Sequence, residues 1–229
     1  SHVQHGNGVI DVLVDDEAQA VVAARHYLSF FQGAQSDWQA PPAQALRQVV
    51  PENRLRVYDT RAAMQGIADV DSLLMLRTGF GVGIHTALCR IEGRPVGMLA
   101  NNPSHLGGAI DADAADKAAR FMQLCNAHGL PIVSLVDTPG FMVGPDAERT
   151  GLVRQASRLV TAGSRLTVPL VADLHMGGAA HHREIHLLVR MEMRRQAGFR
   201  NLGHPNLKYP RDLLQGSNLH AEVGRLEFY

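Results

Sequence analysis

Between Gly107 and Gly144 the chain reads as a turn, a helix, a buried strand and a second turn, and this stretch restricts the fold more than any other. Gly107-Gly108-Ala109-Ile110-Asp111 opens the unit, and Asp137-Thr138-Pro139-Gly140-Phe141 closes it. Asp111 to His128 has helical spacing, with Ala114, Ala118, Phe121, Met122 and Cys125 on one side. Pro131 to Val136 is a nearly unbroken apolar run, the pattern of a strand covered on both faces. Both glycine turns stand where loop or strand gives way to helix, so both present backbone N–H groups. Such groups stabilise a developing oxyanion without a charged side chain.

The flanking segments extend the same theme. Ile84–Ile91 and Val96–Ala100 are two strands of a hairpin turning through Glu92-Gly93-Arg94-Pro95. Leu73 to Leu76 reads as an edge strand, and Asp59-Thr60 caps a short helix over Met64 and Ile67. Glu148 to Ala162 predicts one amphipathic helix and Val168 to Leu174 the next buried strand, parallel to the first and reached by the helical crossover. Hairpin, helix, strand, helix, strand is an α/β order. Upstream, residues 8–14 read as a strand. A helix then starts at Asp15-Asp16-Glu17 and runs through Val21, Ala24, Leu28 and Phe31, and this strand-helix segment is expected to lack a preceding element that would cover its apolar face. Gly33 to Ala43, with Trp38 and Pro41-Pro42, is a linker by composition and suggests a hinge. After Ala180 apolar residues become sparse, and an irregular, protease-sensitive tail is expected.

Charge narrows the function classes. The 22 basic and 22 acidic residues leave no footprint for nucleic acid or an anionic membrane surface. No apolar run approaches the roughly 20 residues of a membrane span, and no signal-peptide pattern opens the sequence. Cys89 and Cys125 belong to no CxxC pair, which fits buried free thiols in a reducing cytoplasm.

Several blocks, in order, carry a family resemblance. They are Val50-Pro51-Glu52-Asn53-Arg54 with Tyr58-Asp59-Thr60-Arg61, then Gly79-Phe80-Gly81, then Ala87 to Gly97. Ala100-Asn101-Asn102-Pro103, Gly107 to Asp111, Asp116 to Phe121, Asp137 to Phe141 and Gly177-Gly178-Ala179 follow. Together they resemble the carboxyltransferase component of biotin-dependent acyl-CoA carboxylases, of the acetyl-/propionyl-CoA carboxylase beta type. The resemblance implies an incomplete crotonase-like ββα superhelix. Residues 1–32 would be the end of the N-terminal carboxyltransferase domain and 33–48 the linker. Residues 49–180 would be part of the C-terminal domain, and 181–229 a divergent tail. It implies carboxyl transfer from carboxybiotin to the α-carbon of an acyl-CoA, with the isolated chain inactive because most of the acyl-CoA half is missing. It also implies partners: a biotin carboxyl carrier protein, a biotin carboxylase and further copies of the subunit in a homo-oligomer.

By the same resemblance, Gly178 and Ala179 would supply backbone oxyanion donors, while Gly140, Phe141, Gly144, Gly107 and Gly108 would line the biotin side. Read from the residues alone, the alternative for these positions is a plain turn between elements. Asp111 or Asp113 caps the following helix, and the Asp137 carboxylate is expected to bond the N–H groups of its own turn. His175, His181, His182 and His186 cluster without a partnering carboxylate or cysteine, so no metal site is assigned. Two other readings stay open: a non-catalytic remnant or interaction module that keeps the fold, and a crotonase-type hydratase or isomerase. The latter needs a placed carboxylate base, for which Asp137 and Glu184 are the nearest candidates.

Overall fold

The computed structural model describes residues 1–42, 46, 49, 51 and 56–174. Gly178, Ala179, Glu184, the histidines from 175 onward, the 181–229 tail and most of the Val50–Arg54 block lie outside the described residues. Two helices come first, α1 (His2–Gly6) and α2 (Glu17–Ser29), followed by α3 (Thr60–Ile67). The strands β1 (Leu74–Leu76), β2 (Ile84–Ile91) and β3 (Arg94–Asn101) lead into α4 (Ala112–Ala127) and β4 (Ile132–Val136). Then come α5 (Pro145–Arg149), α6 (Leu152–Ser164) and β5 (Leu170–Leu174).

The five strands form one sheet in sequence order, β1-β2-β3-β4-β5. β1, β2 and β3 are antiparallel neighbours, whereas β3, β4 and β5 run parallel, with Ile132 opposite Leu170 and Val136 opposite Leu174. The hairpin turn has two residues, Glu92 and Gly93, both at positive φ, as the twist of the strands prefers. Asp69, itself buried, accepts the N–H groups of Glu92 at 3.0 Å and Gly93 at 2.7 Å.

Alternation along the strands builds two cores. Ala87, Cys89, Ile91, Val96, Met98 and Ala100 pack with Met64 and Ile67 of α3. Leu88, Leu99 and Ile132 pack on the other face with Ala114, Ala118, Phe121 and Cys125 of α4. On that face a side chain at Gly97 would overlap the Cys125 sulfur, so β3 and α4 meet at glycine. Helix α4 has the expected bounds: Asp111 is its N-cap, the side chain accepting from Ala114 N–H at 2.8 Å.

Three expectations change. Residues 8–14 are not a strand. Their N–H groups at Val9 and Ile10 turn back to the Gln4 carbonyl, and among the described residues the backbone link toward the sheet is one bond, from Arg77 N–H to the Asp11 carbonyl. Apolar alternation without a partner strand does not make a ladder. The helix expected from Glu148 to Ala162 is two helices, parted at Thr150-Gly151 where Gly151 takes φ 75°. The strand β5 is not buried at its start: Leu170 is 39% exposed and Ala172 is exposed as well.

The segment at 33–42 contains no helix or strand, yet it is fastened. Gln35 N–H donates to the Gly93 carbonyl at 2.9 Å. The buried Arg90 guanidinium donates to the carbonyls of Ser29, Gly33 and Gly93, with the Phe30 ring 5.5 Å away. The sides of α2 stay uncovered, with Val21, Val22 and Leu28 all more than half exposed.

Candidate functional site

The site is built at the ends of β3 and β4, where parallel strands release their loops on one side of the sheet. Asn101, the last residue of β3, is buried. Its carbonyl accepts the Thr60 hydroxyl at 2.8 Å, and its side-chain oxygen accepts Asp137 N–H at 3.2 Å. The start of the second glycine loop is thereby fixed to the end of the neighbouring strand. Asn102 continues the anchorage by donating to the Val82 carbonyl and accepting Ser104 N–H.

Three consecutive residues, Leu106, Gly107 and Gly108, then adopt positive φ. This tight left-handed path brings the chain against the Asp137 carbonyl, 2.5 Å from where a Cβ on Gly108 would lie. Only glycine permits both that backbone and that approach. Two residues later the loops join as a short parallel bridge between Ile110 and Phe141. Ile110 N–H donates to the Gly140 carbonyl and Met142 N–H to the Ile110 carbonyl, each at 2.9 Å.

Of the residues singled out in the sequence, the structure therefore brings Gly107, Gly108, Gly140 and Phe141 together. Gly144 follows Phe141 by three residues and is the N-cap of α5, with φ 112°. Gly140, at φ 121°, faces open space on its Cβ side, as do Gly107 and Gly144. No hydrogen bond among the described residues uses the backbone N–H of Phe141 or Gly107. Around these donors stand exposed apolar side chains, Leu106 at 50%, Phe141 at 39% and Val143 at 83%.

The role expected of Asp137 belongs to its neighbour. The Thr138 hydroxyl accepts Gly140 N–H at 3.0 Å and closes the turn, while the Asp137 carboxylate takes no part in the turn's bonds among the described residues. A hydroxyl two residues ahead of the N–H forms the smaller ring. Asp111 has a second partner: its other oxygen lies 2.8 Å from His105 Nε2, tying the entry of the first loop to the cap of α4. Sequence reasoning overlooked Asn101, although an asparagine ending a strand before a second asparagine and a proline was a visible signal. It also overlooked Thr138.

Charge near the site is held inward. Burial, then the charges of Lys117 and Arg61, lowers the His85 pKa to about 4, so that ring is neutral at pH 7. Burial and Arg77 lower Lys117 to about 8. Among the described residues no three histidine, cysteine or carboxylate side chains converge as a metal site, and no helix is long and apolar enough to cross a membrane.

Comparison with known proteins agrees with this architecture. The carboxyl transferase domain profile matches residues 1–180. The biotin-dependent acetyl-/propionyl-coenzyme A carboxylase beta6 subunit of Mycobacterium bovis is 36% identical over 181 residues, 76% of this chain and 38% of that subunit. A single-chain, multi-domain long-chain acyl-CoA carboxylase superposes with TM-score 0.73 at 56% identity, covering 74% of this chain and 18% of that one. Transcarboxylase 12S, a hexamer solved with methylmalonyl-coenzyme A and methylmalonic acid bound, superposes with TM-score 0.70 at 31% identity, covering 75% of this chain and 35% of that one. These neighbours have the crotonase-like fold, and the chain shares it. It spans about a third of the length of the curated relatives it matches, 34% and 38% for two of them. With two glycine loops bridged at the strand ends and this likeness over residues 1–180, the chain belongs to the carboxyl transferase domain family.

Proposed function

We propose that this chain is part of the carboxyltransferase component of a biotin-dependent acyl-CoA carboxylase. It would move a carboxyl group from carboxybiotin to the α-carbon of an acyl-CoA. The observation that carries the reading is the Ile110–Phe141 bridge, which seats the two glycine loops side by side. Biotin, when bound, supplies the carboxyl group and a ureido oxygen that becomes more negative as the group departs. The chain offers that oxygen backbone N–H donors, Phe141 and Gly107, in loops where no Cβ obstructs approach. Exposed Leu106, Phe141 and Val143 supply apolar contact for a flat, uncharged ring.

No side-chain nucleophile is needed, since the carrier takes the group and gives it up. The residues here bind and orient, and they hold donors at fixed positions. Asn101 and Thr138 act one step back by fixing Asp137 and Gly140. Gly178 and Ala179 complete the reading as oxyanion donors on the biotin side, and Gly144 as part of the second loop. Within this reading, residues 1–32 close the preceding domain, 33–48 link, 49–180 belong to the C-terminal domain and 181–229 form a divergent tail. A biotin carrier protein, a biotin carboxylase and further subunits are the proposed partners. Two buried free thiols support a reducing, cytoplasmic setting.

Titration of the 15N-labelled chain with free biotin tests the reading. The expected result is amide shift changes concentrated at Gly107, Gly108, Gly140 and Phe141. Changes confined to other residues, or none at saturating biotin, would refute it.

A further inference from the structure

Arg77 and Lys117 are two cations enclosed by the fold with less partnership than their burial demands. Arg77 follows β1 in a left-handed conformation, φ 54°, and is 5% exposed. Its Nε donates to Asp11 at 2.8 Å, but its Nη2 is buried and has no hydrogen-bond partner. Lys117, in the second turn of α4, is 1% exposed, and its Nζ reaches the Gly81 carbonyl at a long 3.4 Å. The two flank one turn, because the Arg77 carbonyl accepts Phe80 N–H and the Gly81 carbonyl accepts Lys117.

Counter-charge is scarce here. The one carboxylate paired with this group among the described residues is Asp11, and its second oxygen also lies 3.8 Å from Arg120. Arg77 and Arg120 thus share a single carboxylate that is itself 47% exposed, and no ion pair among the described residues involves Lys117. Burial and the nearby Arg77 charge both lower the Lys117 pKa, which is the response of an ammonium lacking an anion. Folded interiors pair such donors with protein groups, water or ions, and a buried charge is stable when an opposite charge meets it. Water would satisfy the Nη2 hydrogens but would bring no counter-charge to Lys117.

We propose that Arg77 Nη2 and Lys117 Nζ bind one small oxyanion, a carboxylate or a phosphate, which enters beside the exposed Asp11–Arg120 pair. A guanidinium edge and an ammonium point charge suit an oxyanion better than a halide, since each nitrogen can take its own oxygen. The site does not depend on the carboxyltransferase reading.

Isothermal titration of the full chain with inorganic phosphate, and separately with acetate, decides the matter. Ionic strength is held constant so that general screening does not contribute. Saturable binding of at least one of these anions, weakened tenfold or more in Lys117→Met and unchanged in Arg149→Gln, supports the site. Arg149 serves as control because it is an exposed arginine in α5. Circular dichroism checks that the variants fold; if Lys117→Met does not, Arg77→Lys is judged by the same criterion. No saturable binding of either anion to the wild-type chain overturns the proposal, and so does binding that these substitutions leave unchanged.

Discussion

Replacing Gly108 by alanine tests whether the two loops are held as closely as the backbone implies. An ideal Cβ at Gly108 falls 2.5 Å from the Asp137 carbonyl oxygen, against a practical limit of 3.0 Å, so the carbonyl must retreat by 3.0 − 2.5 = 0.5 Å. The left-handed backbone costs alanine about 1–2 kcal/mol, and the overlap adds about 1–2 kcal/mol more as an overpacked contact. Gly107→Ala is the matched control. It shares the left-handed backbone, φ 62°, but its Cβ would meet nothing within 4 Å. Urea unfolding should therefore show Gly107→Ala destabilised by about 1–2 kcal/mol and Gly108→Ala by about 2–4 kcal/mol. For a chain of this size the larger loss lowers Tm by roughly 5–15 °C. Equal losses for the two variants would mean that the Asp137 carbonyl yields freely, and the account of close loop contact would be wrong.

Other outcomes follow from the same geometry. Asp69→Ala leaves the hairpin amides of Glu92 and Gly93 without their acceptor and should cost about 2–3 kcal/mol in chemical unfolding. His85 has a folded pKa near 4, below its ordinary value of 6.5. The folded state then binds fewer protons than the unfolded state between those values, so stability present above pH 6.5 is lost as pH falls towards 4. Unfolding at pH 7 and pH 4 should show a smaller acid loss in His85→Gln than in wild type, and equal losses would contradict the burial of a neutral ring. In a transferase carrying the remaining two-thirds of the relatives' length, Gly178→Val should lower turnover by about 10²–10³ with a smaller effect on stability. Turnover equal to wild type would remove Gly178 from the proposed mechanism.

What could be read from the sequence was mostly local. The cap at Asp111, the Glu92-Gly93 turn and the pairing of β4 with β5 each follow from residues a few positions apart or from the topological demand for a crossover. The strand expected at 8–14 failed because its alternation says nothing about a partner. The helix break at Gly151 was hidden by continuous apolar spacing on either side. The Ile110–Phe141 bridge joins residues thirty-one apart, as 141 − 110, and no periodicity encodes it. The burial of Lys117 was equally illegible, because a lysine in an amphipathic helix reads as surface. Gly178 and Ala179, in the last of the family blocks, lie outside the described residues.

The grip of Arg90 on the Ser29, Gly33 and Gly93 carbonyls has a consequence for how such a chain tolerates change. Every acceptor is main chain, so the side chain at 29 can vary without touching the bond, whereas position 33 is held to glycine by its φ of 89°. Selection on side-chain chemistry should then press on Arg90, and selection on backbone conformation on Gly33. A lysine at position 90 keeps the charge, but its single ammonium cannot span three separated oxygens as a planar fork does. Arg90→Lys should accordingly loosen the 30–35 segment, seen as faster amide exchange at Gln35, while most exchanges of polar residues along that segment go unnoticed.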